Sequence, residues 1–209
     1  MTLERIASMM KDRKPGDIGK RKNCSVLIPL VEVDGQLHIL YEQRSSKLKT
    51  QPGDICFPGG LMEPEETPIE TAVRETYEEV GIPPEQIQVL GQFDTIYDVR
   101  GLTMHTVIGV VDPVALDHLK LSPEEVAEVF TVPFDFFEKE NGFIYEHDII
   151  QKVDDFPYEK AGINPDYKWR VGRATIPVFH FGEGEQRKVI WGLTAMITLW
   201  LKEKMEELN

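Results

Sequence analysis

The feature that most constrains the fold of this chain is a segment with start and stop signals for a helix over residues 68–80. Thr67 stands at the N-cap position, Pro68 at the first helical position, and Glu70 three residues after the cap completes a capping box. Gly81 follows, at a position where many helices end, and two prolines shortly afterwards prevent the helix from resuming. The sequence therefore predicts an α-helix with well-defined ends.

This predicted helix has two faces with opposite chemistry. At about 100° per residue, one face gathers side chains that we expect to point into the core. These are Ile69, Ala72, Val73, Thr76 and Val80. The other face gathers Glu75, Glu78 and Glu79, whose spacing makes their side chains emerge next to one another.

The glutamate cluster is unfavourable for a helix selected for stability alone. Like charges at this spacing repel by a few tenths of a kcal/mol per pair, roughly, and the helix dipole disfavours negative charge in the last turn. A divalent cation reverses the effect, because Mg²⁺ and Mn²⁺ prefer carboxylate and water oxygens as ligands. A solvated acidic face is the alternative that this spacing alone leaves open.

The rest of the chain predicts strands with helices at irregular intervals. Asp34-Gly35 between two β-rich runs, 25–33 and 36–43, is typical of a hairpin. Further strands are expected at 89–99, 103–111, 127–132, 144–153 and 174–181, with a short helix inside the N-terminal extension 1–20 and an amphipathic helix over about 188–208. This pattern favours a single α/β domain over 1–209, with a mixed sheet between helical layers.

The net charge of the chain limits the kinds of molecule that it is expected to bind. Lys and Arg number 23 against 36 Asp and Glu, so the net charge is -13. We therefore expect no unassisted binding to nucleic acid or to an anionic membrane, and a cation between the protein and any anionic substrate.

Cys24 and Cys56 form no disulfide framework, no signal peptide is recognisable, and the most apolar stretch is shorter than the roughly 20 residues of a membrane span. A cytoplasmic location is expected.

A motif around the helix bears a family resemblance. The pattern G-x5-E-x7-R-E-U-x-E-E-x-G-U, in which U is a bulky aliphatic residue, is the Nudix box, and the chain resembles it at every constant position. Those positions are Gly60, Glu66, Arg74, Glu75, Glu78, Glu79 and Gly81. Thr76 occupies the first U position and is the one departure.

The resemblance implies an α/β/α-sandwich hydrolase that acts on a nucleoside diphosphate linked to another group and uses Mg²⁺ or Mn²⁺. By position in the motif, Glu75 and Glu79 would be metal ligands, and Glu78 a further ligand or the base that deprotonates water. Arg74 would orient these glutamates, and the carbonyl of Gly60 would reach a metal.

The segment before the box resembles the motif of the coenzyme A diphosphatase branch, L-L-T-x-R-[SA]-x3-R-x3-G-x3-F-P-G-G. Tyr41, Glu42 and Lys49 replace its second Leu, its Thr and its second Arg. The resemblance makes this segment the expected seat of the substrate's phosphates, and a basic patch that only aids solubility is the alternative. The substrate-binding residues expected here are Arg44, Lys47, Lys49, Gly53 and Phe57.

Two downstream stretches are similar to the same family. Residues 125–133 resemble the segment E-V-x-E-x-F-x-V-P, in which Glu125 would contribute to metal binding or act as the base. Residues 190–195 resemble the I-W-G-x-T-A segment that opens the last helix of this branch. The base is left open among Glu75, Glu78 and a downstream glutamate.

The expected activity is hydrolysis of the pyrophosphate bond of coenzyme A or a derivative, giving 4'-phosphopantetheine and adenosine 3',5'-bisphosphate. The alternatives are another small-molecule substrate, such as ADP-ribose, a dinucleotide or an oxidised nucleotide, and a nucleotide sensor without turnover. A homodimer is compatible with the family, and no stretch of the sequence demonstrates an interface.

Overall fold

Two β-sheets and five α-helices make up the described part of the computed structural model, residues 2–14, 16, 18–19, 21–99, 101–140 and 142–208. The strands are β1 (Lys22–Val33), β2 (Gln36–Arg44), β3 (Ile55–Cys56), β4 (Gly59–Leu61), β5 (Ile87–Tyr97), β6 (Leu102–Val111), β7 (Val126–Pro133), β8 (Phe143–Ile149), β9 (Gly172–Phe181) and β10 (Lys188–Trp191). The helices are α1 (Leu3–Met10), α2 (Pro68–Val80), α3 (Phe134–Lys139), α4 (Tyr158–Ala161) and α5 (Gly192–Glu206).

The larger sheet is mixed, as the irregular alternation of elements predicted. Its order is β3-β2-β1-β6-β5, with β4 also paired to β1 and β7 to β2. Strands β1 and β6 run parallel, and the other pairs of this sheet are antiparallel. The predicted hairpin is confirmed: Asp34 and Gly35 both have positive φ in the turn between β1 and β2.

The two faces of the larger sheet bury separate apolar clusters, which makes the fold a sandwich. The cluster against α2 includes Leu27, Leu40, Val107, Ala72 and Val80. The cluster on the other face includes Val26, Ile39 and Tyr41, together with Ile197 and Leu201 of α5. The sheet therefore lies between helices on both sides, and the predicted α/β/α architecture is confirmed.

The C-terminal helix does not begin where the sequence predicted. Residues 188–191 form β10, which pairs with β9 in a three-stranded sheet, and α5 starts only at Gly192. Ile190 is buried and its neighbours in β10 are more exposed, so this stretch follows strand periodicity. Strand β8 also ends at Ile149, before the predicted end at residue 153.

The N-terminal extension adds little to the core. Within the predicted extension 1–20, helix α1 has no buried residue, and residues 1, 15, 17 and 20 lie outside the described part. That residues 1–209 form one domain stays a prediction.

Helix α2 forms over the predicted residues and is anchored at both ends. The capping box is present: the Thr67 hydroxyl accepts from the Glu70 N–H at 3.3 Å, and the Glu70 carboxylate accepts from the Thr67 N–H at 2.8 Å. Gly81 is left-handed, with φ 78°, and a Cβ there would overlap the backbone of Lys120. The end of α2 is thereby packed against the loop that leads into β7.

Of the expected core positions of α2, Ile69 departs from the prediction and Thr76 follows it. Ile69 is 37% exposed, so the core face of the helix begins at its second turn. Thr76, the departure from the family pattern, is buried and its hydroxyl donates to the Ala72 carbonyl at 2.7 Å. A polar residue is tolerated there because its one donor is satisfied within the helix.

We expect Thr67→Ala to lower the free energy of unfolding by about 1 kcal/mol, because the first turn of α2 loses its side-chain acceptor. Urea denaturation measures the change. Thr67→Ser is the matched control, since it keeps the hydroxyl and is expected to retain most of the stability. Equal stability of the alanine variant and the wild type would contradict this role for the cap.

Candidate active site

The backbone at Gly59 and Gly60 lies directly against two glutamates of α2. The N–H of Gly59 donates to Oε2 of Glu79 at 2.8 Å. A Cβ on Gly60 would overlap the carboxylate of Glu75, and a Cβ on Gly59 would overlap the backbone at Ser25. Glycine at position 59 therefore lets the turn pass close to β1, and glycine at position 60 leaves room for the Glu75 carboxylate.

Arg74 connects the glutamates of the motif to one another. Its Nε and Nη2 donate to the two carboxylate oxygens of Glu66, at 2.7 and 3.0 Å. Its Nη1 donates to Glu75 at 2.9 Å and to Glu78 at 3.0 Å, and Nη2 also reaches the Leu61 carbonyl at 3.3 Å. A planar guanidinium with fixed donors can hold three carboxylates in set directions, as the resemblance implied for this residue.

The carboxylates of the site fall into two electrostatic groups. Hydrogen bonds from Arg74, and then from the Thr71 hydroxyl, lower the pKa of Glu66 to about 2. Burial raises the pKa of Glu79, and the neighbouring charge of Glu42 adds to that effect. Burial also raises the pKa of Glu75, against the opposing influence of Arg74. The outer glutamate is therefore firmly ionised, and the inner ones resist carrying unpaired negative charge.

Glu42 is a member of this site that the sequence analysis recorded only as a departure from the motif. It lies on β2 and is 1% exposed. Its Oε1 accepts from the Cys56 thiol at 3.3 Å, and within the described residues its Oε2 has no hydrogen-bond partner. The available signal was alternation along β2, since Glu42 falls two residues after the buried Leu40, on the same side of the strand.

The predicted loop glutamate is close to the same group. Glu125 precedes β7, and its carbonyl accepts from the Ser45 N–H at 2.7 Å. Its charge raises the pKa of Glu42, Glu75 and Glu79, which places it within electrostatic reach of all three. Carboxylates from α2, β2 and the loop before β7 thus influence one another electrostatically.

This donor set fits a hard divalent cation. Carboxylate oxygens are the ligands that Mg²⁺ and Mn²⁺ prefer, and buried carboxylates that share a site are favoured only when a positive charge offsets them. In the part of the chain that the structure describes, no three acidic, histidine or cysteine side chains form a ready-made metal cage. Glu75 and Glu78 both accept from Nη1 of Arg74, whereas Glu79 accepts from the Gly59 N–H. Metal binding by Glu75, Glu78, Glu79 and the Gly60 carbonyl stays a prediction.

The predicted phosphate-binding cations lie at the end of β2 and on the loop between β2 and β3. Arg44 donates to the Thr50 carbonyl at 3.4 Å, and its buried Nε has no partner among the described residues. Lys47 pairs with Glu124 at 2.6 Å, with both side chains more than half exposed, and Lys49 is exposed. Surface pairs of this kind contribute roughly 1 kcal/mol or less, so Lys47 can exchange its partner for a phosphate.

Gly53 and Phe57 have structural surroundings that differ from one another. Gly53 is exposed, has φ 78°, and its N–H donates to the Arg44 carbonyl at 3.1 Å, which closes the loop. Phe57 is 3% exposed and stacks on Tyr41 with ring centroids 5.0 Å apart. Its ring therefore supports the Gly59–Gly60 turn from the core and offers no open surface to a substrate.

Comparison with known proteins matches the NUDIX domain model to residues 21–152. Nudix hydrolase 3 of Caenorhabditis elegans is 36% identical over 145 residues, 67% of this chain and 60% of that protein. Peroxisomal coenzyme A diphosphatase NUDT7 of Mus musculus is 35% identical over 152 residues, 68% of this chain and 62% of that protein. Mitochondrial coenzyme A diphosphatase NUDT8 of Homo sapiens is 33% identical over 178 residues, 84% of this chain and 66% of that protein. The chain spans about three fifths of the length of the first two relatives.

We expect Arg74→Gln to raise the pKa of Glu66 from about 2 towards its ordinary value near 4.3, because the charged donors that favour the ionised form are lost. A lowered pKa stabilises the fold fully above the ordinary value, and the contribution fades as the pH falls towards about 2. The variant loses this contribution.

Carbon-13 NMR titration of the glutamate carboxyls in chelator measures the shift. Glu70 is the internal control, since its pKa is lowered by Thr67 and not by Arg74. If Glu66 of the variant stays ionised to the same pH as in the wild type, Arg74 is not the group that controls it.

Proposed function

This chain belongs to the NUDIX family, as the Nudix box predicted, and on that premise we propose that it hydrolyses the pyrophosphate bond of coenzyme A or a coenzyme A derivative. The proposed reaction depends on Mg²⁺ or Mn²⁺ and yields 4'-phosphopantetheine and adenosine 3',5'-bisphosphate. The observation that carries the proposal is the packing of Glu75 and Glu79 against the Gly59–Gly60 turn, with Arg74 holding the neighbouring glutamates.

Hydrolysis of a pyrophosphate bond requires neutralisation of charge on the phosphate oxygens and alignment of the attacking water. When bound, a divalent metal neutralises charge on the phosphate oxygens and lowers the pKa of water. The chain's own contribution is to hold the carboxylates in place: Arg74 orients Glu75 and Glu78, and the Gly59 N–H fixes one oxygen of Glu79. The group that accepts the proton from water is Glu75, Glu78 or Glu125, all of which belong to the acidic cluster or its edge.

The choice of coenzyme A rests on the relatives and on the loop before the box. NUDT7 and NUDT8 are named coenzyme A diphosphatases, and the chain shares with that branch the spacing from Arg44 through Gly53 to the Gly59–Gly60 turn. Arg44, Lys47 and Lys49 place positive charge on the loop that leaves β2 just after Glu42. A substrate with several phosphates can bind the cations of this loop while its pyrophosphate lies at the carboxylates.

The remaining expectations on partners belong to the same proposal. We propose a small-molecule nucleotide substrate, a cytoplasmic location, no nucleic-acid or membrane partner, and a homodimer as an assembly compatible with the family. None of the helices in the described ranges is long and apolar enough to cross a membrane.

We expect purified protein with Mg²⁺ or Mn²⁺ to release adenosine 3',5'-bisphosphate from coenzyme A faster than it turns over dephospho-coenzyme A, ADP-ribose, NADH or 8-oxo-dGTP. Chromatography of the products measures each rate. Glu79→Gln, prepared in parallel, is expected to lose about 100-fold or more of the activity while remaining folded, because it removes a charge from the centre of the site.

The controls separate the alternatives. Glu203→Gln removes an exposed carboxylate from α5 and is expected to leave the rate unchanged. A wild-type rate in Glu79→Gln would contradict the assignment of Glu79 as a metal ligand. Better turnover of another substrate on the panel would replace coenzyme A by that substrate. Binding of nucleotides without turnover of any of them would favour a sensor.

A further inference from the structure

We propose that Glu42 is an additional metal ligand of this site, supplied by strand β2 opposite the glutamates of α2. The inference rests on the proposed function, because it assumes that the acidic cluster binds Mg²⁺ or Mn²⁺. It goes beyond the family motifs, since the related pattern has Thr at this position and no carboxylate.

The position of Glu42 in the sheet directs its side chain to the side that carries α2. Along β2, Ile39 and Tyr41 belong to the cluster on the α5 side, whereas Leu40 belongs to the cluster packed against α2. Side chains of a strand alternate between faces, so Glu42 shares the face of Leu40. Its partner in β3 is Cys56, three residues before the Gly59 N–H that holds Glu79.

The environment of Glu42 is not that of a structural carboxylate. Buried carboxylates are normally met by several donors, because an ionised oxygen without one is strongly disfavoured. Glu42 is 1% exposed, and its only hydrogen bond within the described residues is a weak one from the Cys56 thiol to Oε1. Its Oε2 has no hydrogen-bond partner there, and Arg44, two residues further along the chain, acts on Glu42 through its charge without donating to that oxygen.

The charges around Glu42 point to a cation as the missing partner. Burial raises the pKa of Glu42, and the charges of Glu125 and Glu75 add to that effect, against the Cys56 hydrogen bond and the charge of Arg44. Repulsion of this kind is reversed when a divalent ion binds among the oxygens. A fourth carboxylate adds negative charge to the ligand set, which strengthens binding of a hard cation.

The test measures metal affinity separately from turnover. Mn²⁺ is titrated into chelator-treated wild type, Glu42→Gln and Glu42→Thr by isothermal titration calorimetry, and thermal unfolding without metal establishes that each variant is folded. We expect both variants to raise the Kd for Mn²⁺ about tenfold or more. We also expect Glu42→Gln without metal to unfold at or above the wild-type temperature, because a buried negative charge has been removed.

The matched control removes a carboxylate from the neighbouring strand on the other face of the sheet. Glu128 lies on β7 opposite Gln43 and pairs with Lys188 at 2.5 Å, and that lysine also lies over the Phe130 ring of the α5-side cluster. Glu128→Gln is expected to keep the wild-type affinity for Mn²⁺. Wild-type affinity in Glu42→Gln and Glu42→Thr would overturn the inference and leave the proposed function standing. Absence of Mn²⁺ binding by the wild type would overturn both.

Discussion

The burial of several carboxylates between α2 and the larger sheet is the constraint on which the rest of this site depends. Glu79 is 6% exposed and Glu42 1% exposed, and ionised carboxylates lose much of their hydration in such places. The fold offsets part of this loss with the Gly59 N–H, and Arg74 does the same for Glu75. These two donors are too few to offset the charge of all the buried carboxylates. A divalent cation is the partner that would complete the balance.

The same constraint bears on how an acidic chain would bind the anionic substrate proposed for it. The net charge of -13 repels phosphates at a distance, and the carboxylates of α2 contribute to that charge. A metal bound among them would turn a repulsive surface into an attractive one. The basic loop with Arg44, Lys47 and Lys49 supplies a second attractive region beside it.

Local signals in the sequence were sufficient wherever structure depends on neighbours in the chain. The ends of α2 follow from Thr67, Glu70 and Gly81, and the first hairpin follows from its Asp-Gly turn. They failed where tertiary contacts decide: residues 188–191 fit a helical apolar pattern, yet pairing with β9 makes them a strand. Likewise Phe57 was expected to face the substrate but packs in the core, and the place of Glu42 depends on a helix that lies later in the chain. Motif spacing identified the glutamates of α2 but could not show which additional side chains surround them.

If these carboxylates form a metal site, anomalous diffraction from crystals soaked in Mn²⁺ locates the ion. We expect an anomalous peak within about 2.5 Å of carboxylate oxygens of both Glu75 and Glu79, beside the Gly59–Gly60 turn. A metal that binds only elsewhere, or carboxylates that remain held by Arg74 and Gly59 with no peak between them at saturating Mn²⁺, would contradict this expectation.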